Sequence, residues 1–349
     1  MEQVFAKIDQ EGELTKEELV RLLSLTDQEA LERLFRCADL VRRKYVGEEI
    51  HLRGLIEFSN YCRKNCSYCG IRRDNNKLTR YRMSIEEILE AVKEAAAAGY
   101  RTVVLQSGED LFFTADRLSE LLRRIKEEAD VAVTLSVGER PRWEYEQMYQ
   151  AGADRYLLRF ETSNQALFEQ LHPDGDYRKR LQALSELKET GFQVGSGVMI
   201  GLPGQRVEDL AADILLFKEL DLDMIGVGPF ISHEETPLAG QPSGTAEMTY
   251  KVIALTRLVT RRTHIPATTA LGSLRRVDGR LKALSLGANV VMPNVTPAKY
   301  RALYQLYPDK VCLQEEAAHY RDGMTGWLAA LDRPIGAGYG HAVKGNENN

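Results

Sequence analysis

A repeating order of short β-rich segments and amphipathic helical patterns constrains the fold of this 349-residue chain more than any other feature. Such alternation is typical of βα units, which build a parallel sheet. The predicted strands are 51–59, 101–106, 131–136, 154–161, 192–200, 223–230, 265–270 and 288–293, and the helical patterns between them include 84–99, 115–129, 206–220 and 248–262. Eight units predict an α/β fold closed as a (β/α)8 barrel of the TIM type, because closure leaves no unpaired sheet edge. A doubly wound open sheet is the alternative.

The chain on either side of the predicted barrel has a different pattern. Residues 1–46 are predicted to form two or three short amphipathic helices, for which Thr15 and Thr26 are the candidate N-caps. The far end contains one possible short helix followed by a glycine-rich stretch. We therefore divide the chain into an N-terminal helical extension (1–46), a barrel (47–308) and a C-terminal tail (309–349), and we assign no chemistry to the tail.

Composition and charge exclude several classes of function. The net charge is −5 with acidic and basic residues interspersed, so the chain has no long-range positive field for nucleic acid and no polybasic membrane anchor. The first residues lack the apolar core of a signal peptide, and no apolar run is long enough to span a membrane. The five cysteines are odd in number and poorly spaced for disulfides. We expect a cytoplasmic protein with reduced thiols.

Three of the cysteines, Cys62, Cys66 and Cys69, lie within eight residues directly after the first predicted strand. The spacing C-x3-C-x2-C allows three thiolates to converge on a soft metal centre, such as an iron–sulfur cluster, zinc or copper(I). A structural zinc site usually has four protein ligands, and His51 or Cys37 would have to supply the fourth. A four-iron cluster with three thiolates instead leaves one iron open to a small molecule. That arrangement indicates catalysis.

The predicted strands end in polar or glycine-rich residues, at the edge of a barrel where active sites lie. These ends include SGED (107–110), VGER (137–140), GLPGQ (201–205) and MPN (292–294). Arg159 and Glu161 end the fourth strand, where buried charges need a ligand or each other as an ion pair. The glycine-dense GLPGQ turn lacks the pattern of a phosphate-binding loop.

The cysteine motif, with an aromatic residue before its last cysteine, resembles the signature of radical S-adenosylmethionine (radical SAM) enzymes. Between about residue 30 and residue 312, the chain resembles more narrowly the HydE family of [FeFe]-hydrogenase maturases. The stretches that carry this resemblance are FSNYCRKNCSYCGIRRDN, LQSGED, DRYLLRFET, GLPGQ, GVGPFI, IPATTA, GANVVMPN and YRALYQLYP. The resemblance implies one [4Fe–4S] cluster that cleaves S-adenosylmethionine to a 5′-deoxyadenosyl radical. It also implies an organometallic substrate, a cysteine-bound iron carrying carbonyl and cyanide, and as partners the maturases HydG and HydF and an external electron donor.

The same resemblance implies a role for each candidate residue. The metal ligands would be Cys62, Cys66 and Cys69. The residues that would contact S-adenosylmethionine are Tyr68, Gln106, Ser107, Gly108, Glu161, Arg180, Met199, Gly201 and Leu202, with Glu161 at the ribose and Arg180 at the methionine carboxylate. The residues that would line the substrate cavity are Thr134, Arg159, Thr268, Thr269, Met292, Tyr304 and Tyr307. Ordinary packing of these aromatic and threonine side chains, a plain βα turn at SGED and a solvated helix face for Arg180 are the structural alternatives.

One departure from the family and two alternative functions complete the predictions. Some HydE proteins have further cysteines after the position of Cys312, whereas here VCLQEEAAHYRDGM offers only Cys312 and His319. We therefore expect no second iron–sulfur cluster, which also argues against a biotin synthase. The alternative enzyme is a mutase similar to methylornithine synthase. The alternative without catalysis is a zinc-binding scaffold protein.

Overall fold

The strands of this chain are short and parallel. The computed structural model describes residues 1–308, 326, 328 and 331–342. Within these residues the strands are β1 (His51–Leu52), β2 (Gly54–Ser59), β3 (Thr102–Ser107), β4 (Ala132–Ser136), β5 (Arg155–Leu157), β6 (Gln193–Ile200), β7 (Met224–Pro229) and β8 (Val290–Val291). Strands β2 to β7 form one parallel sheet in sequence order, and β1 pairs with β8. β2 and β7 are buried along their whole length, as expected for strands covered on both faces.

Helices follow most strands and cover the outside of the sheet. In the described part of the chain they are α1 (Glu2–Asp9), α2 (Lys16–Leu23), α3 (Gln28–Val46), α4 (Ile85–Ala97), α5 (Ala115–Glu128), α6 (Arg142–Gln150), α7 (Gln165–Leu171), α8 (Tyr177–Thr190), α9 (Val207–Glu219), α10 (Ala246–Thr260), α11 (Thr269–Leu284) and α12 (Ala298–Arg301). Local signals set their starts. In α4, Ser84 and Glu87 form a reciprocal capping box, and Ile88, Val92 and Ala95 face the core.

Single backbone bridges close the sheet into a ring. Leu55 pairs with Asn294, Val227 with Ala267, and Pro266 with Val290, so the segment near 266 connects β7 to β8. The predicted (β/α)8 barrel is therefore confirmed, and the open sheet is wrong. The prediction of a full strand at 265–270 is also wrong, because Thr268 already caps α11 through its hydroxyl and Thr269 is the first residue of that helix.

The N-terminal helices pack against the barrel and share its core. Leu19, Leu22 and Leu23 of α2 are fully buried in the same hydrophobic cluster as the barrel residues. The buried Lys251 of α10 donates hydrogen bonds to the carbonyls of Leu23 (3.2 Å) and Leu25 (2.5 Å). Leu23 is the last residue of α2, and Leu25 follows it closely. A charged donor thus satisfies the free carbonyls at the end of that helix.

The two candidate caps of the extension had different outcomes. Thr15 caps α2 in a reciprocal capping box with Glu18, as predicted. Thr26 does not cap the next helix, because the carboxylate of Asp27 accepts the hydrogen bond from the backbone of Ala30. Asp is the better N-cap of the two, so the choice of Thr26 over its neighbour Asp27 was wrong.

The C-terminal strap, which we define as residues 331–342, lies across the amino end of the barrel. Arg53 and Arg155 are buried there and donate to the backbone carbonyls of Gly340 (3.1 Å) and Tyr339 (2.7 Å). The amide of Gly336 adds a hydrogen bond to Ile50 (3.0 Å). The strap therefore covers this end of the barrel, and the carboxyl end is where a site can open. No helix in the described ranges has the length and apolarity needed to cross a bilayer.

Replacement of Lys251 by methionine should loosen the contact between the N-terminal helices and the barrel. The change keeps the aliphatic volume but leaves two buried carbonyls without donors, so we expect the free energy of unfolding to fall by about 2 kcal/mol. Urea denaturation followed by circular dichroism measures this value. Lys16→Met, at an exposed position of α2, is the matched control, and equal midpoints for the two variants would contradict the role of Lys251.

Candidate active site

The cysteines lie on an irregular loop, residues 60–83, that runs from β2 to α4 across the carboxyl end of the barrel. Asn60 anchors its ends through hydrogen bonds from its amide to the carbonyls of Thr79 and Leu303, both 2.8 Å. The guanidinium of Arg80 donates to carbonyls inside the loop, including those of Ile71 (2.9 Å) and Asn75 (3.1 Å). Carbonyls that cannot pair in a strand or helix therefore find donors within the loop.

Gly108 brings the loop after β3 into direct contact with the cysteine loop. A Cβ at this position would lie 2.2 Å from the carbonyl oxygen of Tyr61 and 2.8 Å from the Cβ of Cys62, so only glycine allows the approach. Its amide donates to the carbonyl of Ser59 (3.1 Å). The SGED stretch is thus more than a plain βα turn, because its glycine fixes the position of the first cysteine.

A cavity of about 350 Å³ opens at the carboxyl end of the barrel, and all three clustered cysteines line it. The other predicted site residues that line it are Tyr68, Gln106, Ser107, Gly108, Arg159, Glu161, Arg180, Met199, Thr268, Thr269, Met292, Tyr304 and Tyr307. Residues that are distant in sequence therefore meet at one opening. Their individual roles remain predictions.

Three predicted site residues do not line this cavity. Thr134 is fully buried on the same face of β4 as Ser136, which does line it, and the Thr134 hydroxyl has no hydrogen-bond partner among the described residues. Leu202 packs behind the cavity wall, in a small hydrophobic cluster with Tyr68 and Met199. Gly201 is exposed in a turn and has a φ of +83°, so the backbone conformation accounts for this glycine.

Arg159 and Glu161 form a bidentate ion pair inside the cavity. The Nε of Arg159 lies 2.9 Å and 3.0 Å from the two carboxylate oxygens of Glu161, and its Nη2 lies 2.9 Å from Oε2. Burial alone would lower the pKa of Arg159, but the facing carboxylate outweighs it and raises the pKa. Glu161 has a φ of +64°, an unusual backbone conformation for a residue with a side chain. The structural ion pair that sequence left as an alternative is therefore present.

Arg180 does not lie on a solvated helix face, as one alternative held. It is buried, and its Nε lies 2.5 Å from Oε1 of Glu139, whose other oxygen is 3.2 Å from the Nζ of Lys64. Burial raises the pKa of the Glu139 carboxyl, but the charges and hydrogen bonds of Arg180 and Lys64 together outweigh that effect and lower it. Two cations thus share one carboxylate at the cavity wall. The group carries one excess positive charge, which suits a ligand carboxylate.

His172 is a cavity residue that sequence reasoning missed. Its Nε2 lies 3.0 Å from the hydroxyl of Tyr68, and its Nδ1 lies 2.9 Å from the carbonyl of Phe168. The carbonyl can only accept, so Nδ1 carries the hydrogen and Nε2 accepts from Tyr68. Burial lowers the pKa of His172 to about 3, which keeps the ring neutral. No local pattern marked this residue, because its partner is 104 positions away.

Comparison with known proteins agrees with this geometry. The family model of the radical SAM superfamily matches residues 56–217. The [FeFe] hydrogenase maturase subunit HydE of Thermotoga maritima is 53% identical over 304 residues, which cover 87% of each chain. The 3-methylornithine synthase of Methanosarcina acetivorans is 32% identical over 82% of this chain and 81% of its own. A crystal structure of methylornithine synthase superposes with a TM-score of 0.84 at 29% identity, covering 96% of this chain and 98% of that one.

The chain belongs to the HydE family of radical SAM enzymes. Its cofactors are a [4Fe–4S] cluster and S-adenosylmethionine. The alternative of a zinc-binding scaffold is therefore wrong. His51 lies at the other end of the barrel against His264, and Cys37 lies on α3 beside Asp9. Neither can complete a zinc site with the loop cysteines.

The donor set of three thiols fits an iron–sulfur cluster. Within the described ranges, no three His, Cys, Asp or Glu side chains converge on one metal position. A cluster does not need such convergence, because each thiolate binds a different iron. The further candidates Cys312 and His319 lie outside the described residues, so the expected absence of a second cluster stays a prediction.

The three loop thiols are held neutral by their surroundings in the metal-free protein. Burial raises the pKa of all three, to about 12 for Cys66 and well above 9 for Cys69. The next contribution for Cys66 is the neighbouring Cys62, and for Cys69 it is Cys66, because thiolates this close repel each other. Bound iron would supply the positive charge that this cluster of thiolates lacks.

Alkylation of the metal-free protein should show these raised pKa values. Only the thiolate reacts with iodoacetamide, and a pKa above its ordinary value leaves little thiolate near neutral pH. We therefore expect slow labelling of Cys66 and Cys69 at pH 7.5 and faster labelling as the pH rises towards 10, measured by peptide mass spectrometry. The same protein in urea is the control. Equal rates in folded and unfolded protein at pH 7.5 would show that the thiols are not buried.

Proposed function

We propose that this protein acts in the maturation of [FeFe]-hydrogenase in the cytoplasm, as a radical SAM enzyme that takes a cysteine-bound iron carrying carbonyl and cyanide. The observation that carries the proposal is the meeting of three cluster-binding thiols with Arg159, Glu161 and Arg180 in one cavity. Identity of 53% to the HydE of Thermotoga maritima supports the assignment. We further propose HydG and HydF as partner maturases and an external protein as electron donor.

When bound, the cluster and S-adenosylmethionine together supply a reductive cleavage that yields methionine and the 5′-deoxyadenosyl radical. The residues of this chain hold that cofactor. Lys64 and Arg180 both pair with Glu139, and together the three groups carry one excess positive charge. The methionine carboxylate binds these two cations and replaces some of their contacts with Glu139. The ring of Tyr68, fixed by its hydrogen bond to His172, forms a rigid wall for the adenine. Glu161 accepts hydrogen bonds from the ribose hydroxyls.

Other residues that line the cavity suit a substrate with cyanide and carbonyl ligands. Thr269 and Ala270, which line it, begin α11, a helix whose first free amides favour negative charge. Met292 contributes apolar surface, and the hydroxyl of Tyr304 lies 3.4 Å from the amide of Gln106. A wall of weak donors and apolar groups can hold the metal ligands and keep water from a radical.

The decisive test supplies the substrate directly. The reduced protein is incubated with S-adenosylmethionine and the synthetic iron–cysteine complex, then combined with the other maturation components, and hydrogenase activity is followed. We expect activation that depends on this protein and on the complex. If the complex remains unchanged while 5′-deoxyadenosine still forms, the substrate assignment is wrong but the radical chemistry stands.

A mutase similar to methylornithine synthase is the second candidate, favoured by the TM-score of 0.84 and by 32% identity over most of the chain. The fold is shared by enzymes with different substrates, so overall similarity does not choose between them. Incubation with lysine and analysis of amino-acid products separates the two. A carbon-skeleton rearrangement of lysine would support the mutase and contradict the maturase.

Replacement of Cys66 by alanine should abolish 5′-deoxyadenosine formation. The variant removes one of three thiolates, and a cluster bound by two is not held in the geometry needed for electron transfer to the cofactor. Liquid chromatography of the product and iron analysis check both effects. Cys37→Ala is the matched control, since Cys37 is on α3 of the N-terminal extension. Undiminished product in the Cys66 variant would contradict its role as a ligand.

Conservative changes to the ion pair should separate cofactor binding from substrate turnover. Glu161→Gln keeps the shape but loses the charge, so we expect S-adenosylmethionine to bind more weakly by about 1.5–3 kcal/mol, the range for hydrogen bonds to a charged group. Arg159→Lys keeps the positive charge beside Glu161 but loses the bidentate hydrogen bonds of the guanidinium. Cofactor affinity should therefore change less than in the Glu161 variant, while turnover of the iron complex falls. Equilibrium binding and product assays measure both values. Equal affinity in the wild type and the Glu161 variant would exclude a ribose contact.

A further inference from the structure

An exposed apolar surface lies beside the cysteine loop and has no role in the cavity. Leu111 is 53% exposed and Phe112 is 46% exposed, directly after the SGED residues. Arg82 and Arg117 flank the Phe112 ring, with guanidinium carbons 4.8 Å and 4.0 Å from its centre. We call these four residues the rim patch. Exposed apolar side chains grouped with cations are typical of an interaction surface.

The rim patch is rigid, which lowers the entropy cost of docking. The Asp110 carboxylate accepts hydrogen bonds from the amide of Phe112 (3.1 Å), the hydroxyl of Ser59 (2.7 Å) and the guanidinium of Arg82 (2.6 Å and 3.0 Å). Arg117 adds a hydrogen bond to the carbonyl of Phe112 (2.8 Å). The exposed ring is therefore fixed in place before any partner arrives.

The rim patch is also directly connected to the first cluster ligand. Arg82 stacks on Tyr61, the residue before Cys62, at 3.7 Å from the ring centre. Gly108, three residues before Leu111, lies in contact with Cys62 itself. The rim patch is thus linked to Cys62 through Gly108 on one side and through Tyr61 on the other. A protein docked here would approach the cluster closely.

The electrostatics of the cysteine loop favour an acidic partner. Its cations are Arg63, Lys64, Arg72, Arg73, Lys77, Arg80 and Arg82, against the single carboxylate of Asp74, within a chain of net charge −5. Several of these cations pair with carboxylates of other loops, but the partners differ in exposure. The side chains of Arg63 and Arg82 are 45% and 33% exposed, whereas their partners Glu109 and Asp110 are 8% and 3% exposed. The cation of each pair therefore faces solvent, and Arg117 adds a further exposed charge.

We propose that the rim patch is the docking surface for an acidic one-electron carrier protein. In the step it serves, the reduced carrier loses one electron, the oxidised cluster gains that electron, and no atom or proton is exchanged. Electron-transfer complexes are small and weak, which fits a patch of four residues steered by surface charge. The inference rests on the cofactors of this enzyme family and is independent of the proposed iron–cysteine substrate.

The test compares binding and two sources of electrons in the holoenzyme. The variants are Leu111→Asp and Arg117→Glu, and the matched control is Leu40→Asp, which changes a 64% exposed leucine on α3. Calorimetric titration with an acidic flavodoxin measures the dissociation constant. Formation of 5′-deoxyadenosine is measured with reduced flavodoxin and, separately, with dithionite, which needs no docking surface.

We expect both rim variants, but not the control, to weaken flavodoxin binding several-fold and to slow the flavodoxin-driven reaction, with dithionite-driven rates unchanged. Arg117→Glu should also reduce the salt dependence of binding, because it removes a steering charge. Unchanged flavodoxin affinity in both variants would overturn the proposal. A matching loss with dithionite would also overturn it, since the residues would then act on the cluster loop. If both rim variants bind flavodoxin normally and lose only hydrogenase activation, the proposal is also wrong. The patch would then be a docking surface for another maturase.

Discussion

The attachment of the cysteine loop to the open end of the barrel is the constraint on which the whole site depends. An irregular loop of 24 residues leaves many carbonyls without a partner in a strand or helix, and each buried one that stayed unpaired would destabilise the fold. Asn60 and Arg80 supply the missing donors from inside the loop. Gly108 then lets the neighbouring loop press against Cys62. The thiols are thus held in place before metal arrives, which is what a cluster with only three protein ligands requires.

The charged groups of the cavity are arranged so that each has a partner without the ligand. Arg159 binds Glu161, while Lys64 and Arg180 share Glu139. Isolated charges at this depth would be strongly destabilising, whereas paired charges offset much of their desolvation. The sharing of one carboxylate by two cations leaves a net positive charge at the wall. A ligand carboxylate can therefore bind by exchange, with little change in the number of buried ion pairs.

The barrel itself does not select the substrate. Methylornithine synthase has nearly the same fold, with a TM-score of 0.84, and is named for a different product. Because the backbones of this chain and methylornithine synthase superpose closely, a difference in substrate depends on the side chains that line the cavity. Tyr68, His172, Thr269 and Met292 all line that cavity, although they come from different segments of the chain. Changes at such positions can alter the substrate without altering the framework.

Sequence by itself predicted the barrel, the bounds of helices such as α4, α5 and α9 to within two residues, and three cysteines grouped on one loop, because periodicity, caps and short cysteine spacings are local properties. It also brought most of the predicted site residues to the carboxyl end, since every parallel strand must end there. Only the tertiary structure decided that Thr134 lies below the cavity, that Thr269 starts a helix, and that Arg180 is buried against Glu139. It alone showed the bond between Tyr68 and His172. Such facts depend on which distant segments meet and how deeply they are buried, and no spacing along the chain encodes either.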